Sequence, residues 1–242
     1  MIKKLLLSSL FFLILSVLPI NKNYARHSHR KIKRYYTPTI LDTTDYSKHV
    51  WGIDLSHHQG VINWEQVDKK DKPNFIFFKV TEGNNLKDTK YDQHIENARK
   101  LNIPCGAYHF FGYQSDGKSQ AKHFIKNAKL QKGDLHPVLD VEFTRRTKHA
   151  RYNIKKEIKA FCMEIYKQFK VYPIIYCNES YYNTYLKDSF KDYNFWICNY
   201  RKAPKLNWVF WQHTDKGKVN GITGSVDKNR LNPNKKIGSY LL

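Results

Sequence analysis

Carboxylates are scarce in this 242-residue chain: 21 Asp and Glu stand against 42 Lys and Arg, a formal net charge of +21. The four cysteines, Cys105, Cys162, Cys177 and Cys198, include no Cys-x-x-Cys pair and match no zinc or redox spacing. Cys105, Cys177 and Cys198 sit in apolar, strand-like runs, where a thiol behaves as a small core side chain; buried thiols are therefore expected rather than two disulfides. His57, His58 and His109 could suggest a metal, but nothing fixes them as three ligands at suitable spacing. The sequence has no internal repeat and no helix-turn-helix, finger or RNP-like pattern, which argues against nucleic acid as the partner. The excess of positive charge nonetheless favours some polyanion, by steering and mass attraction.

One long hydrophobic run is present, from Leu5 to Ile20, preceded by Lys3 and Lys4. Ser8 and Ser9 break it and Pro19 ends it, which leaves it short for a membrane span of about 20 residues. Residues 1–25 read as a signal peptide, with an uncleaved N-terminal anchor as the alternative. Either reading makes this an exported protein: secreted, periplasmic or associated with the cell envelope. Residues 26–50 are polar, basic and without period, and read as a linker or tail. Within them, Arg26, Arg30, Lys31, Lys33 and Arg34 suit residues 26–34 to an anionic wall polymer or membrane surface, at about 1 kcal/mol per basic residue near such a surface.

From Trp51 onward the pattern changes. Short β-branched and aromatic runs predict strands at Trp51–Leu55, Phe75–Val80, Ile103–Phe111, Pro137–Phe143, Tyr172–Cys177, Phe195–Cys198 and Trp208–Trp211, with a last one near Ile222–Val226. Polar stretches of helical period fall at 89–101, 117–130, 152–170 and 179–188. In the third of these, Ile154, Ile158, Phe161, Ile165 and Phe169 share one face. Near-continuous apolar strands alternating with amphipathic helices indicate parallel strands buried on both faces. About eight of them predict an α/β fold, a closed TIM-like barrel, in a single domain over 51–242. The last three strands leave almost no room for helices between them.

The few acids fall at strand ends. Asp54 ends the first run, Glu82 follows the second, Asp140 and Glu142 close the fourth, and Asp227 follows the last. In a β/α barrel such positions converge on one mouth, where active sites are built. Asp140 and Glu142, two apart on a strand, are expected on one side and roughly 6–7 Å apart. Held that close in a partly buried mouth, they cannot both ionise freely, so one is expected to stay protonated beside an ionised partner. Glycoside hydrolysis uses that division of labour. Tyr108, Tyr176, Trp196, Tyr200 and Trp211 lie in or just after strands, where aromatic faces can stack on sugars.

These residues resemble a known family. Gly52-Ile53-Asp54-Leu55-Ser56-His57-His58-Gln59-Gly60, Ile62-Asn63-Trp64, Lys79 to Gly83, Gly106 to Phe110, Asp140 to Glu142, Phe210 to Gln212 and Val226-Asp227 follow, in order, the motifs of the Chalaropsis-type lysozymes, glycoside hydrolase family 25. The resemblance spans roughly the last four-fifths of the chain. It implies a (β/α)5β3 barrel that hydrolyses the β-1,4 bond between N-acetylmuramic acid and N-acetylglucosamine in peptidoglycan glycan strands. It also implies Glu142 as general acid/base, Asp140 assisting the substrate's own N-acetyl group, Asp54 and Asp227 completing a charged floor, and neither a metal nor an organic cofactor. Glu82, Tyr108, His109, Tyr176, Tyr200, Trp211 and Gln212 are the expected substrate-binding set, in a protein expected to be a monomer. Cys198 stands where the family usually has a smaller residue. The alternative is a catalytically silent barrel that only binds cell-wall glycan.

Overall fold

The computed structural model describes residues 50–144 and 153–242. Both stretches belong to the compact unit Tyr36–Leu242. The expected signal or anchor at 1–25, and the basic tail apart from Val50, lie outside the described residues.

Eight strands close into a barrel: β1 (Trp51–Leu55), β2 (Phe75–Glu82), β4 (Cys105–Phe110), β5 (Val138–Asp140), β6 (Ile174–Asn178), β7 (Phe195–Cys198), β8 (Phe210–Gly217) and β9 (Val226–Leu231). β1 pairs with both β2 and β9, which completes the circle, while the two-residue β3 (Leu86–Lys87) folds back on the end of β2. Within the barrel all neighbours run parallel except β9, which is antiparallel to β8 and β1; the short β3 is antiparallel to β2. Helices α1 (Trp64–Lys70), α2 (Tyr91–Lys100), α3 (Gly117–Ala128) and α4 (Ile154–Phe169) follow β1, β2–β3, β4 and β5. A short helical segment over 179–186 follows β6, and no described helix lies between β7, β8 and β9. This is the (β/α)5β3 arrangement.

Period two sorts the side chains into two cores. Ile53, Ile76, Phe78, Ala107, Leu139, Ile175 and Ile197 point outward and pack under the helices. Phe75, Phe77, Val138, Ile174, Trp196 and Phe210 point inward and fill the barrel. Ile237 and Tyr240, from a terminal single turn, join the same inner cluster. Glycines make room for these aromatics. A Cβ on Gly52 would lie 2.4 Å from the Phe75 ring, and one on Gly106 would lie 2.3 Å from that of Phe77. The strands are therefore buried on both faces, as their unbroken apolar character predicts.

The outer helices are set by caps and by one apolar face each. Asn153 caps α4 by accepting from the Lys156 amide at 3.1 Å, and Ile154, Ile158, Phe161 and Ile165 are buried as their spacing predicts. Phe169 packs at the edge of the same cluster. Gly117 opens α3 where a Cβ would lie 1.9 Å from the Glu157 carbonyl oxygen, so α3 and α4 touch backbone to backbone. Cys105, Cys162 and Cys177 are buried free thiols and Cys198 is a half-buried one.

Two sequence expectations need correction, and one helix had no expectation at all. The last strand is Val226–Leu231, not Ile222–Val226: Gly221 and Gly224, at φ of 90° and 87°, turn the chain there and delay the strand. Asp227 therefore stands near the start of an antiparallel strand, which brings it to the same mouth by the opposite route. β5 ends at Asp140, so Glu142 lies beyond the regular strand. Helix α1 was not legible, because its seven residues bury only Val67 and so display no period.

Overpacking a filled interior costs about 1–3 kcal/mol. Gly106→Ala is expected to lower unfolding free energy by about that amount or more, measured by denaturant titration. A neutral result would mean that Phe77 can move and that the inner core is not tightly filled.

Candidate active site

The C-terminal ends of the parallel strands surround a cleft of about 250 Å³. Its floor is built around Asp54, which is 7% exposed. The Trp196 indole N–H donates to Asn229 Oδ1 at 2.8 Å, and Asn229 Nδ2 donates to Asp54 Oδ2 at 2.8 Å. An indole can only donate, so the orientation of Asn229 is fixed. Gln212 repeats the device: its Oε1 accepts from the Tyr176 and Tyr200 hydroxyls at 2.8 and 3.0 Å, while its Nε2 donates to Asp54 Oδ2 at 3.0 Å. One oxygen of Asp54 thus receives two oriented amides.

Asp227 is the cross-strand partner of Asp54 in the β1–β9 ladder. Burial, and then the Asp227 charge, hold the Asp54 carboxyl far above its usual range. Asp227 is pushed up to about 6, first by burial and then by Asp215, while a hydrogen bond with Asp54 pulls it down. The pair therefore shares a proton held by Asp54, with Asp227 as the side that ionises.

The second pair stands across the cleft. Asp140 is 8% exposed, and its Oδ1 is buried with no hydrogen-bond partner. Burial and then the Glu142 charge raise its pKa well above normal. Glu142 is raised by burial and held down by the Tyr176 hydroxyl and the Lys79 ammonium. Although β5 has ended, alternation continues: Val141 packs in the outer core, and its N–H donates to the Tyr176 carbonyl at 2.9 Å. Asp140 and Glu142 therefore line the same cleft. The Tyr113 hydroxyl donates to the Glu142 main-chain carbonyl at 2.8 Å and stands 2.7 Å from the Tyr181 hydroxyl, which fixes the backbone there.

Eight of the eleven expected site residues meet in this cleft: Asp54, Asp140, Glu142, Asp227, Tyr108, Tyr176, Tyr200 and Gln212. Three do not. His109 is fully buried on the outer side of β4, between Thr81 (2.7 Å) and Gln120 (3.0 Å) and stacked on Phe161, and burial pushes its pKa down to about 3. Its place one residue after inward Tyr108 requires this. Trp211 likewise points outward between inward Phe210 and Gln212, with its indole N–H on the Asn199 carbonyl at 2.8 Å. Glu82 lines neighbouring hollows and forms a 2.7 Å ion pair with Lys79.

Four contributors were not singled out from the sequence. Lys79 enters the cleft, 4.9 Å from the Phe110 ring centroid, and Phe110, Ser56 and Asn229 also contribute to it or to its floor. The signal for Lys79 was its place after inward Phe75 and Phe77 at period two. Asn229 carried none, because the last strand was placed too early. Among the described residues no group of three His, Cys, Asp or Glu side chains is arranged to hold a metal ion.

Known proteins resemble this chain in sequence and fold. The chain is 32% identical to the protein YegX of Escherichia coli K12 over 214 residues, 85% of this chain and 76% of that one. It is 32% identical to Lysozyme M1 of Streptomyces globisporus over 76% of this chain and 68% of that one. The structure of a family 25 glycosyl hydrolase from Bacillus anthracis superposes with a TM-score of 0.70 at 31% identity, covering 76% of this chain and 89% of that one. The model of glycosyl hydrolases family 25 matches residues 53–222, and the chain belongs to that family.

Proposed function

We propose that the protein is an exported lysozyme that hydrolyses the β-1,4 bond between N-acetylmuramic acid and N-acetylglucosamine, with Glu142 as general acid/base. The observation that carries this reading is the pairing, in one cleft, of Glu142 with a more deeply buried Asp140, both with pKa values raised first by burial. A carboxyl whose pKa is raised by burial keeps its proton at mildly acidic pH and can deliver it to a leaving glycosidic oxygen. Asp140 lines the same cleft, where its carboxyl is the group to accept from the N–H of a substrate N-acetyl group. Held there, the acetamido oxygen attacks the anomeric carbon as the C–O bond to the next sugar breaks and Glu142 protonates the leaving oxygen. Glu142, now ionised, then takes a proton from the water that opens the resulting oxazolinium ring. Tyr108, Tyr176 and Tyr200 supply sugar-facing hydroxyls and ring faces, and the Asp54–Asp227 pair sets the negative floor. That Lysozyme M1 of Streptomyces globisporus and an autolytic lysozyme of Clostridium acetobutylicum are among the relatives supports the lysozyme reading.

Release of reducing ends from purified peptidoglycan tests the assignment. The chain is expected to yield fragments ending in N-acetylmuramic acid, and Glu142→Gln to lose about 100-fold or more of that activity, the contribution expected of a positioned proton donor. A chain that sediments with the wall but cuts nothing would instead be a glycan-binding barrel.

The pH profile tests the electrostatics. Glu142 must be protonated to act as the acid, so kcat falls as pH rises through its raised pKa. Lys79 stabilises the ionised form of Glu142, and its removal moves that pKa upward. Lys79→Met is therefore expected to shift the descending limb of the kcat profile to higher pH. An unchanged or downward-shifted limb would mean that Glu142 is not the titrating acid.

A further inference from the structure

The cleft leaves one concentration of aromatic and cationic side chains unused. Three of the five tryptophans, Trp51, Trp208 and Trp211, lie outside the barrel where β1, β9 and β8 run side by side without an intervening helix. Arg230 stands directly between Trp51 and Trp211 in the two ladders, so these three side chains point the same way across three strands. The Arg230 guanidinium is 5.9 Å from the Trp211 ring centroid, and Lys228 Nζ is 4.9 Å from that of Trp51. Trp208 and His213 flank Trp211 at 6.1 and 5.5 Å.

This row is partly exposed, and its charge is unbalanced. Burial and then the Arg230 and Lys228 charges hold the His213 imidazole below its usual pKa, so His213 is kept uncharged beside two cations. Neither Lys228 nor Arg230 forms an ion pair with a carboxylate among the described residues; Asp71 is the acid whose carboxyl feels Lys228, and its side chain is engaged with Asn220. Two cations held over tryptophan faces, with no carboxylate in ion-pair contact among the described residues, suit a ligand that brings both apolar ring faces and acid groups. Stacking on sugar faces and charge-assisted hydrogen bonds to carboxylates would then act side by side.

We propose that this outer face of β8 and β9, with Trp51 of β1 at its edge, is a second glycan-binding surface, which grips a carboxylate-bearing stretch of peptidoglycan while the cleft works on another. The choice of polymer rests on the lysozyme reading; the surface itself does not. Trp211, absent from the cleft, finds its role here.

Adsorption to insoluble peptidoglycan sacculi on ice, without turnover, is the direct test, read beside hydrolysis of a short soluble muramyl oligosaccharide. Lys228→Gln/Arg230→Gln is expected to weaken adsorption about tenfold or more, the loss of two charge-assisted contacts, with soluble turnover unchanged. Arg230→Gln alone, at an exposed position, is expected to give an intermediate loss and serves if the double variant does not fold. Lys155→Gln/Lys156→Gln on α4 removes the same charge elsewhere and is expected to stay within about twofold of the native chain, as sites without shared partners do. Adsorption unaffected by the strip variants, an equal loss in the α4 control, or a parallel fall in soluble turnover would overturn the proposal. So would strip variants that keep sacculus binding but lose binding to anionic lipid vesicles or duplex DNA. A chain that adsorbs through the strip yet cuts nothing would end the lysozyme reading and leave this surface standing.

Discussion

The hydrogen bond from the Trp196 indole to Asn229 fixes the direction of everything above it. Because the indole cannot accept, Asn229 must present its amide N–H₂ to Asp54, and the Tyr176–Tyr200–Gln212 branch reaches the same carboxyl oxygen. A buried carboxyl with one oxygen committed in this way keeps its proton on the other side, toward Asp227. Leaving one member of such a network unsatisfied typically costs about 1–3 kcal/mol, so its geometry is held firmly. The rest of the inner core serves this floor: Phe77 stacks on Trp196 at 4.8 Å between centroids, and Gly106 leaves Phe77 the room to do so.

The division into two carboxyl pairs follows from the barrel's closure. Parallel strands deliver Asp54, Asp140 and Glu142 from their C-terminal ends, whereas Asp227 arrives from the start of β9, the barrel's antiparallel strand. The same reversal leaves the outer faces of β8 and β9 without a helix. A single topological feature thus supplies the fourth carboxyl of the cleft and exposes the tryptophan–cation row behind it. Lys79, reaching in from β2, is the cation that opposes the raised pKa values of Asp140 and Glu142.

Much of this was legible in the sequence, for reasons that can be named. Strands buried on both faces appear as apolar runs, and acids that interrupt a basic chain at the ends of those runs stand out; Asp54, Asp140 and Glu142 were found that way. What period two decides within a strand was harder to use. His109 and Trp211 carry suggestive chemistry but sit one residue out of phase with Tyr108 and Gln212, and so face away from the cleft. Asn229 and Lys79 carry no distinctive chemistry and owe their importance to register, which depends on the exact turn at Gly221 and Gly224 and on the barrel's closure. The Tyr113 clamp on the Glu142 backbone joins residues 29 apart and has no local signature.

The central claim is electrostatic: two carboxyl pairs in one cleft, each kept partly protonated by burial and by its partner. Carboxyl carbon chemical shifts of isotopically labelled Asp and Glu, followed through a pH titration and assigned with single Asn and Gln variants, measure it directly. The account predicts that Glu142 titrates above the ordinary glutamate value of 4.5, that Asp227 titrates near 6, and that Asp54 and Asp140 keep their protons well past 3.8. Four carboxyls that all ionise at ordinary values would contradict it, because no proton would then remain in the cleft to deliver.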